Sequence, residues 1–158
     1  MKPVVYMLCG LTGSGKTTYA KKLENKDLIR LSVDEIIFEQ YGRYCVDYPE
    51  AEYSKYYEPA VKEFDNRLIE LLKNNKSVIL DTGCWTKADR DRYKGLIKEY
   101  GCEWKLLYFK VAPEILIQRL EERNKRSDAN SLKVTNEALC DFIKRFEEPS
   151  GEGEELEY

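Results

Sequence analysis

Short apolar runs alternate along the chain with stretches whose apolar positions recur every three or four residues. Residues 3–9, 28–33, 77–81 and 104–111 are runs of strand length. Between them, residues 17–23 and 35–41 read as short helices. Residues 59–73 place Val61, Phe64, Leu68, Leu71 and Leu72 on one helical face. Asn74, Asn75 and Lys76 turn the chain into the third strand. Thr86 with Asp89 has the form of a capped helix start, and Gly101 stands where a glycine ends a helix. Pro113 opens a helix running to about Arg123, and residues 135–146 form a last one. This alternation predicts an α/β fold with a parallel sheet covered by helices on both faces. The chain shows no repeats and no internal linker, so residues 1–147 read as one domain. Residues 148–158 read as an acidic, disordered tail. Ligands of such sheets collect beyond the carboxyl ends of the strands. Residues 10–17, Asp34, residues 81–85 and the helix after the fourth strand are therefore the places to look.

The first of these is the most specific. Gly10-Leu11-Thr12-Gly13-Ser14-Gly15-Lys16-Thr17 fits G-x-x-x-x-G-K-[ST], between an apolar strand and a helix. Its glycines let backbone N–H groups turn inward around an anion, and the following helix points its positive end there. Gly10, Thr12, Gly13, Ser14, Gly15, Lys16, Thr17 and Thr18 are the candidate nucleotide contacts. Lys16 suits the β- and γ-phosphates of ATP, and the Thr17 hydroxyl suits Mg²⁺.

Composition narrows the class. Hydrophobic residues at 42% and charged residues at 35% are ordinary for a globular protein of 158 residues. No apolar run approaches membrane-spanning length and no export signal is visible, so the expected location is the cytoplasm, with no membrane partner. The five cysteines are scattered, which fits reduced thiols in a reducing compartment. With no histidine, a zinc site is hard to build, and any general base must be a carboxylate or another group. Net charge is −3, but residues 147–158 hold six glutamates and no basic residue. The body then carries 26 basic against 23 acidic residues, a formal +3. That suits an anionic cofactor and falls short of the basic face of nucleic-acid binders.

The chain resembles the small P-loop kinases related to phage polynucleotide kinase, zeta toxin and chloramphenicol phosphotransferase, above all their uncharacterised ATP-binding "predicted kinase" subgroup. The resemblance rests on residues 10–18, Ser32-Val33-Asp34-Glu35, Val78-Ile79-Leu80-Asp81-Thr82-Gly83, and Val111-Ala112-Pro113-Glu114 followed by Arg119, Arg123 and Arg126. It implies strand order 2-3-1-4 and transfer of the ATP γ-phosphate to a hydroxyl, without fixing the acceptor.

The resemblance places Asp34 opposite the acceptor hydroxyl. An aspartate with its ordinary pKa near 4 is a weak base, so its task would be to orient the hydroxyl and take its proton late. Asp34 also fits the N-cap of the helix after it. Asp81 closes an apolar strand, as a Mg²⁺-holding acid does; by the resemblance it would alternatively face the acceptor. Arg119, Arg123 and Arg126 flank the polar residues 124–131, in the manner of a lid over the triphosphate. Arginine suits that task through its planar, permanently charged fork, and surface pairing with Glu121 and Glu122 is the bland alternative.

The acceptor side is less specific. Six of the twelve tyrosines fall between Tyr41 and Tyr57, most of them expected to pack helix against sheet. Trp85 is a candidate platform for an acceptor ring. Arg90, with Lys87 and Arg92, is a candidate for a phosphate already on the acceptor. The reading is an ATP- and Mg²⁺-dependent kinase acting on a small molecule such as a nucleoside, nucleotide-sugar or antibiotic-like compound. A polynucleotide 5′-hydroxyl is the less favoured acceptor. From a different class stands an ATP-binding switch that acts through a protein partner.

Overall fold

The computed structural model describes residues 2–11, 13–43, 46–82, 84–123, 125 and 136–157. Five strands form one parallel sheet: β1 Val4–Cys9, β2 Leu28–Leu31, β3 Ser77–Asp81, β4 Glu103–Phe109 and β5 Glu154–Glu157, in the order β2-β3-β1-β4-β5. The helices are α1 Lys16–Leu23, α2 Val33–Tyr41, α3 Tyr53–Lys73, α4 Lys87–Glu99, α5 Pro113–Arg123 and α6 Asn136–Arg145. The expected 2-3-1-4 order is present, with one further strand beyond β4.

Strand alternation divides the core. Val5, Met7 and Cys9 of β1, with Val78 and Leu80 of β3 and Leu106 of β4, face one side. There they meet Ile36 and Ile37 of α2, Phe64 and Leu68 of α3, and Tyr93 and Ile97 of α4. Leu8, Ile79 and Leu107 face the other side, where Ala20 of α1 packs with Phe109. Burying each large apolar side chain contributes about 1.5–3 kcal/mol. That burial makes the carboxyl ends of β1, β2 and β3 a fixed edge on which the chemistry stands. Leu8 pairs with Asp81, and Leu31 with Leu80, so these ends are level.

Three local expectations change. The helix placed at residues 59–73 begins earlier, at Tyr53, with Pro59 inside it. The extra turns bring Tyr53 and Tyr56 onto the same buried stripe as Ala60 and Phe64, and that burial outweighs the proline as a start signal. The second strand stops at Leu31, and Ser32, not Asp34, caps α2: the Ser32 hydroxyl accepts the Glu35 amide at 3.2 Å.

The third change concerns the acidic end. Residues 154–157 are not a disordered tail but pair in parallel with β4, Leu106 opposite Glu154 through Phe109 opposite Glu157. The anchor is charge. Arg90 of α4, fully buried, grips both oxygens of Glu152, Nε to Oε1 at 2.8 Å and Nη2 to Oε2 at 3.0 Å. Lys94 adds a bond to the Glu152 carbonyl at 2.9 Å. Among the described residues, no helix is long and apolar enough to cross a membrane.

Candidate functional site

The glycine loop leaves β1 at Cys9 and enters α1 at Lys16. Gly15 precedes the helix at φ +101°, a left-handed conformation that side chains rarely adopt. Gly10 is required by space instead: a Cβ there would lie 2.7 Å from the Ser14 hydroxyl and 3.0 Å from the Phe109 carbonyl. Lys16 Nζ donates to the Gly10 and Leu11 carbonyls at 2.9 and 3.0 Å, which folds its charge over the loop.

Beside the loop opens a cleft of about 1180 Å³. Gly13, Ser14, Gly15, Lys16, Thr17 and Thr18 form its floor, so these expected nucleotide contacts stand together. Thr12 lies outside the described residues. Lys21, Lys22, Arg119 and Lys125 give the walls a positive excess over Glu122 and Glu157. Tyr19 and Phe109, edge to face at 5.2 Å, supply an apolar flank. Size, charge and a floor made of the glycine loop fit a nucleoside triphosphate.

Thr17 and Asp81, the two residues expected to hold Mg²⁺, are in contact. The Thr17 hydroxyl donates to Asp81 Oδ2 at 2.9 Å across the ends of α1 and β3. Paired hard oxygen donors beside a phosphate-binding loop are the set that suits Mg²⁺. Arg30, which the sequence reading overlooked, reaches the same oxygen from β2, through Nε at 3.0 Å and Nη2 at 2.9 Å. The available signal was a lone charge within the apolar run Leu28-Ile29-Arg30-Leu31.

Asp34 stands in the first turn of α2, on the same sheet edge. Its Oδ1 accepts the Tyr53 hydroxyl at 3.0 Å. Burial first, and then the Asp34 charge, push the Tyr53 phenol far above its ordinary range, so it remains a donor. Tyr57 is raised by the same two causes. Among the described tyrosines, Tyr41 stacks on Tyr56 at 3.6 Å and Tyr48 meets the Tyr56 edge at 5.2 Å, so these rings pack on one another.

Arg119, on α5, donates to the Gly13 carbonyl at 3.1 Å, so it already lies against the phosphate loop. Arg123 ends α5, and its side chain lies outside the described residues, as does Arg126. Of the expected lid 124–131, only Lys125 is described.

Of the acceptor candidates, Arg90 is placed elsewhere and Trp85 packs on α6. Arg90 does not face an acceptor: it is buried on Glu152, with Nη1 bonded to the Cys84 carbonyl at 2.8 Å. Its long stem fills the core while its fork satisfies a buried carboxylate, the stronger pairing for a buried charge. Trp85 is half-buried against Phe142 of α6 at 4.8 Å, with the Arg145 guanidinium 5.4 Å from its ring. Its carbonyl accepts the Glu147 amide at 2.7 Å, so it fastens the end of α6. Lys87 and Arg92, the other basic residues considered there, pair with Asp91 at 2.7 Å and Asp65 at 2.9 Å.

Comparison with known proteins agrees with this geometry. Residues 5–149 match the AAA domain family AAA_33. An L-seryl-tRNA(Sec) kinase from Methanococcus maripaludis is 26% identical over 147 residues, covering 92% of this chain. The chain spans 53% of that curated relative, about half its length. Among solved structures, one in the Pnkp1/Rnl/Hen1 RNA repair complex is 23% identical with TM-score 0.70, covering 91% of this chain and 44% of the other. Kti12 from Chaetomium thermophilum, solved with ADP-AlF3, is 18% identical with TM-score 0.67, covering 96% and 87%. These two likenesses show the fold. With the family match spanning almost the whole chain, and the phosphate loop, Thr17 and Asp81 assembled on one edge, the protein belongs to the AAA_33 family of P-loop kinases.

Proposed function

We propose that this chain transfers the γ-phosphate of ATP to a hydroxyl of a small-molecule acceptor. The observation that carries the reading is Asp34. Its carboxylate is held by the Tyr53 hydroxyl at 3.0 Å, on the same sheet edge as the phosphate loop. The alternative role as helix cap is taken by Ser32.

The residues divide the work. Backbone amides of the glycine loop and Lys16 bind the triphosphate, and Arg119 meets charge developing on the transferred group. Thr17 would hold Mg²⁺ directly and Asp81 would hold it through water or through the Thr17 hydroxyl; the ion, when bound, neutralises phosphate charge. Asp34 orients the acceptor hydroxyl. A bond forms from its oxygen to the γ-phosphorus, and the bond from that phosphorus to the β–γ bridging oxygen breaks. The hydroxyl proton passes to Asp34 late, leaving ADP and the phosphorylated acceptor.

Two observations favour a small, phosphate-free acceptor. Tyr53 and Tyr57 flank Asp34, and the nearby Lys87, Arg90 and Arg92 are each held by an acid. The names of the relatives favour a second reading, a hydroxyl carried on RNA. The free thiols of Cys9, Cys84, Cys102 and Cys140 support residence in a reducing compartment such as the cytoplasm. The test is ADP formation measured against a panel of metabolites, nucleosides and 5′-hydroxyl oligonucleotides. Acceptor-dependent ADP with a phosphorylated small molecule supports the proposal. Turnover with oligonucleotides alone transfers it to RNA, and ADP release indifferent to every acceptor favours a partner-acting switch.

A further inference from the structure

Arg30 is a charged residue at the centre of the short strand β2, and its side chain is 5% exposed. It does not reach the surface. It turns to Asp81, itself 3% exposed, and places Nε at 3.0 Å and Nη2 at 2.9 Å from Oδ2. Oδ2 is also the oxygen that accepts the Thr17 hydroxyl at 2.9 Å. Three donors thus converge on one carboxylate oxygen, which offers about two lone pairs. The guanidinium also stands 4.0 Å from Glu35 through Nη1, but its two short bonds go to Asp81, so its positive charge offsets that carboxylate first.

We infer that Arg30 is a positioning residue that governs how the divalent cation enters. By filling Oδ2 and offsetting its charge, Arg30 weakens Asp81 as a direct cation ligand and fixes it as the partner of the Thr17 hydroxyl. The cation then depends on the nucleotide phosphates for its negative charge, and arrives with them. Among the described residues, no group of three or more His, Cys, Asp or Glu side chains offers an independent cation site, which is consistent with this dependence. The inference rests on the phosphate-loop reading of residues 10–17. It does not require that an acceptor exist.

The test compares wild type, Arg30→Lys and Arg30→Met, measuring ADP affinity by calorimetry in EDTA and again in saturating Mg²⁺, and Mn²⁺ binding without nucleotide by electron paramagnetic resonance. ADP affinity in EDTA, together with the melting curve, reports whether each variant is folded. In wild type, Mn²⁺ binding should appear only with ADP. In Arg30→Met, the gain in ADP affinity caused by Mg²⁺ should rise at least about tenfold, because a unit positive charge leaves the site. In Arg30→Lys, which keeps the charge but loses the two-pronged grip, it should rise about threefold. Should Arg30→Met fail to fold, Arg30→Lys decides the matter. A Mg²⁺ gain equal to wild type in every folded variant would show that Arg30 merely supports the fold. A wild-type protein that binds no ADP in either condition would overturn the inference and the phosphate-loop reading together.

Discussion

The Tyr53 hydroxyl, from the first turn of α3, donates to Asp34 Oδ1, in the first turn of α2, at 3.0 Å. Two helices separated in sequence by residues 42–52 are thus joined at the carboxylate proposed to meet the acceptor. Tyr53→Phe should leave ATP affinity within about twofold while lowering acceptor phosphorylation by about 10–100-fold, the scale of one hydrogen bond to a charged group. Steady-state kinetics should place the loss mainly in kcat. A loss confined to ATP binding would detach Tyr53 from the acceptor side.

The Arg90–Glu152 pair makes a separate prediction about stability. Glu152→Gln leaves a buried guanidinium without its countercharge, at a cost of about 3–5 kcal/mol. Urea unfolding should show that loss, and hydrogen exchange should show the amides of β5 opening first. An unchanged midpoint with β5 still protected would mean that the pair does not hold the strand.

Titration behaviour follows from the same burial. Burial raises Cys9 to about 11 and Cys84 to about 12, against partly opposing positive charge from Arg90 and Lys16. Groups raised in the folded state stabilise fully below their unfolded values and lose that contribution as pH climbs. The melting temperature should therefore fall above about pH 9. Glu152 is lowered, first by its hydrogen bond from Arg90, so its contribution is present above the ordinary glutamate value and fades below about pH 4.5. No histidine titrates between these limits. A melting curve flat from about pH 5.5 to 8 is expected. A sharp step near pH 6.5 would contradict it.

Arg119 touches the Gly13 carbonyl from α5, so it can act on the phosphate group without a large movement. Arg119→Ala should reduce kcat by about 10²–10³-fold, as removal of a preorganised charge donor does, with a smaller change in ATP affinity. Lys16→Ala, by contrast, should weaken ATP binding itself. Equal effects of both substitutions on binding alone would remove the distinction between holding the triphosphate and assisting its transfer.

Much of this site was legible because its signals are local. The glycine loop, Asp34 and Asp81 each follow a short apolar run, and strand ends gather on one edge of a parallel sheet. The Ser32–Glu35 spacing of a capping box was also in view, yet Asp34 drew the cap assignment. What was hidden depends on partners distant in sequence. Residues 152–157 look like a solvated acidic tail until Arg90, 62 residues away, is seen gripping Glu152. Arg90 looked like a surface cation for the same reason. Arg30 gave a weak signal, one charge in an apolar strand, whose meaning appears only when Asp81 is opposite it.

The central claim, that Asp34 positions an acceptor hydroxyl for phosphoryl transfer, is tested most directly by Asp34→Asn. Ser32 caps α2 independently, so the substitution should spare the helix. Wild type and variant would be incubated with ATP, Mg²⁺ and the acceptor identified from the panel, and the phosphorylated product quantified by mass spectrometry beside ATP affinity. The account predicts near-normal ATP binding with product formation reduced by about 10²–10⁴-fold, the scale of a positioned acid or base. Product formation at the wild-type rate by a folded Asp34→Asn protein would contradict it.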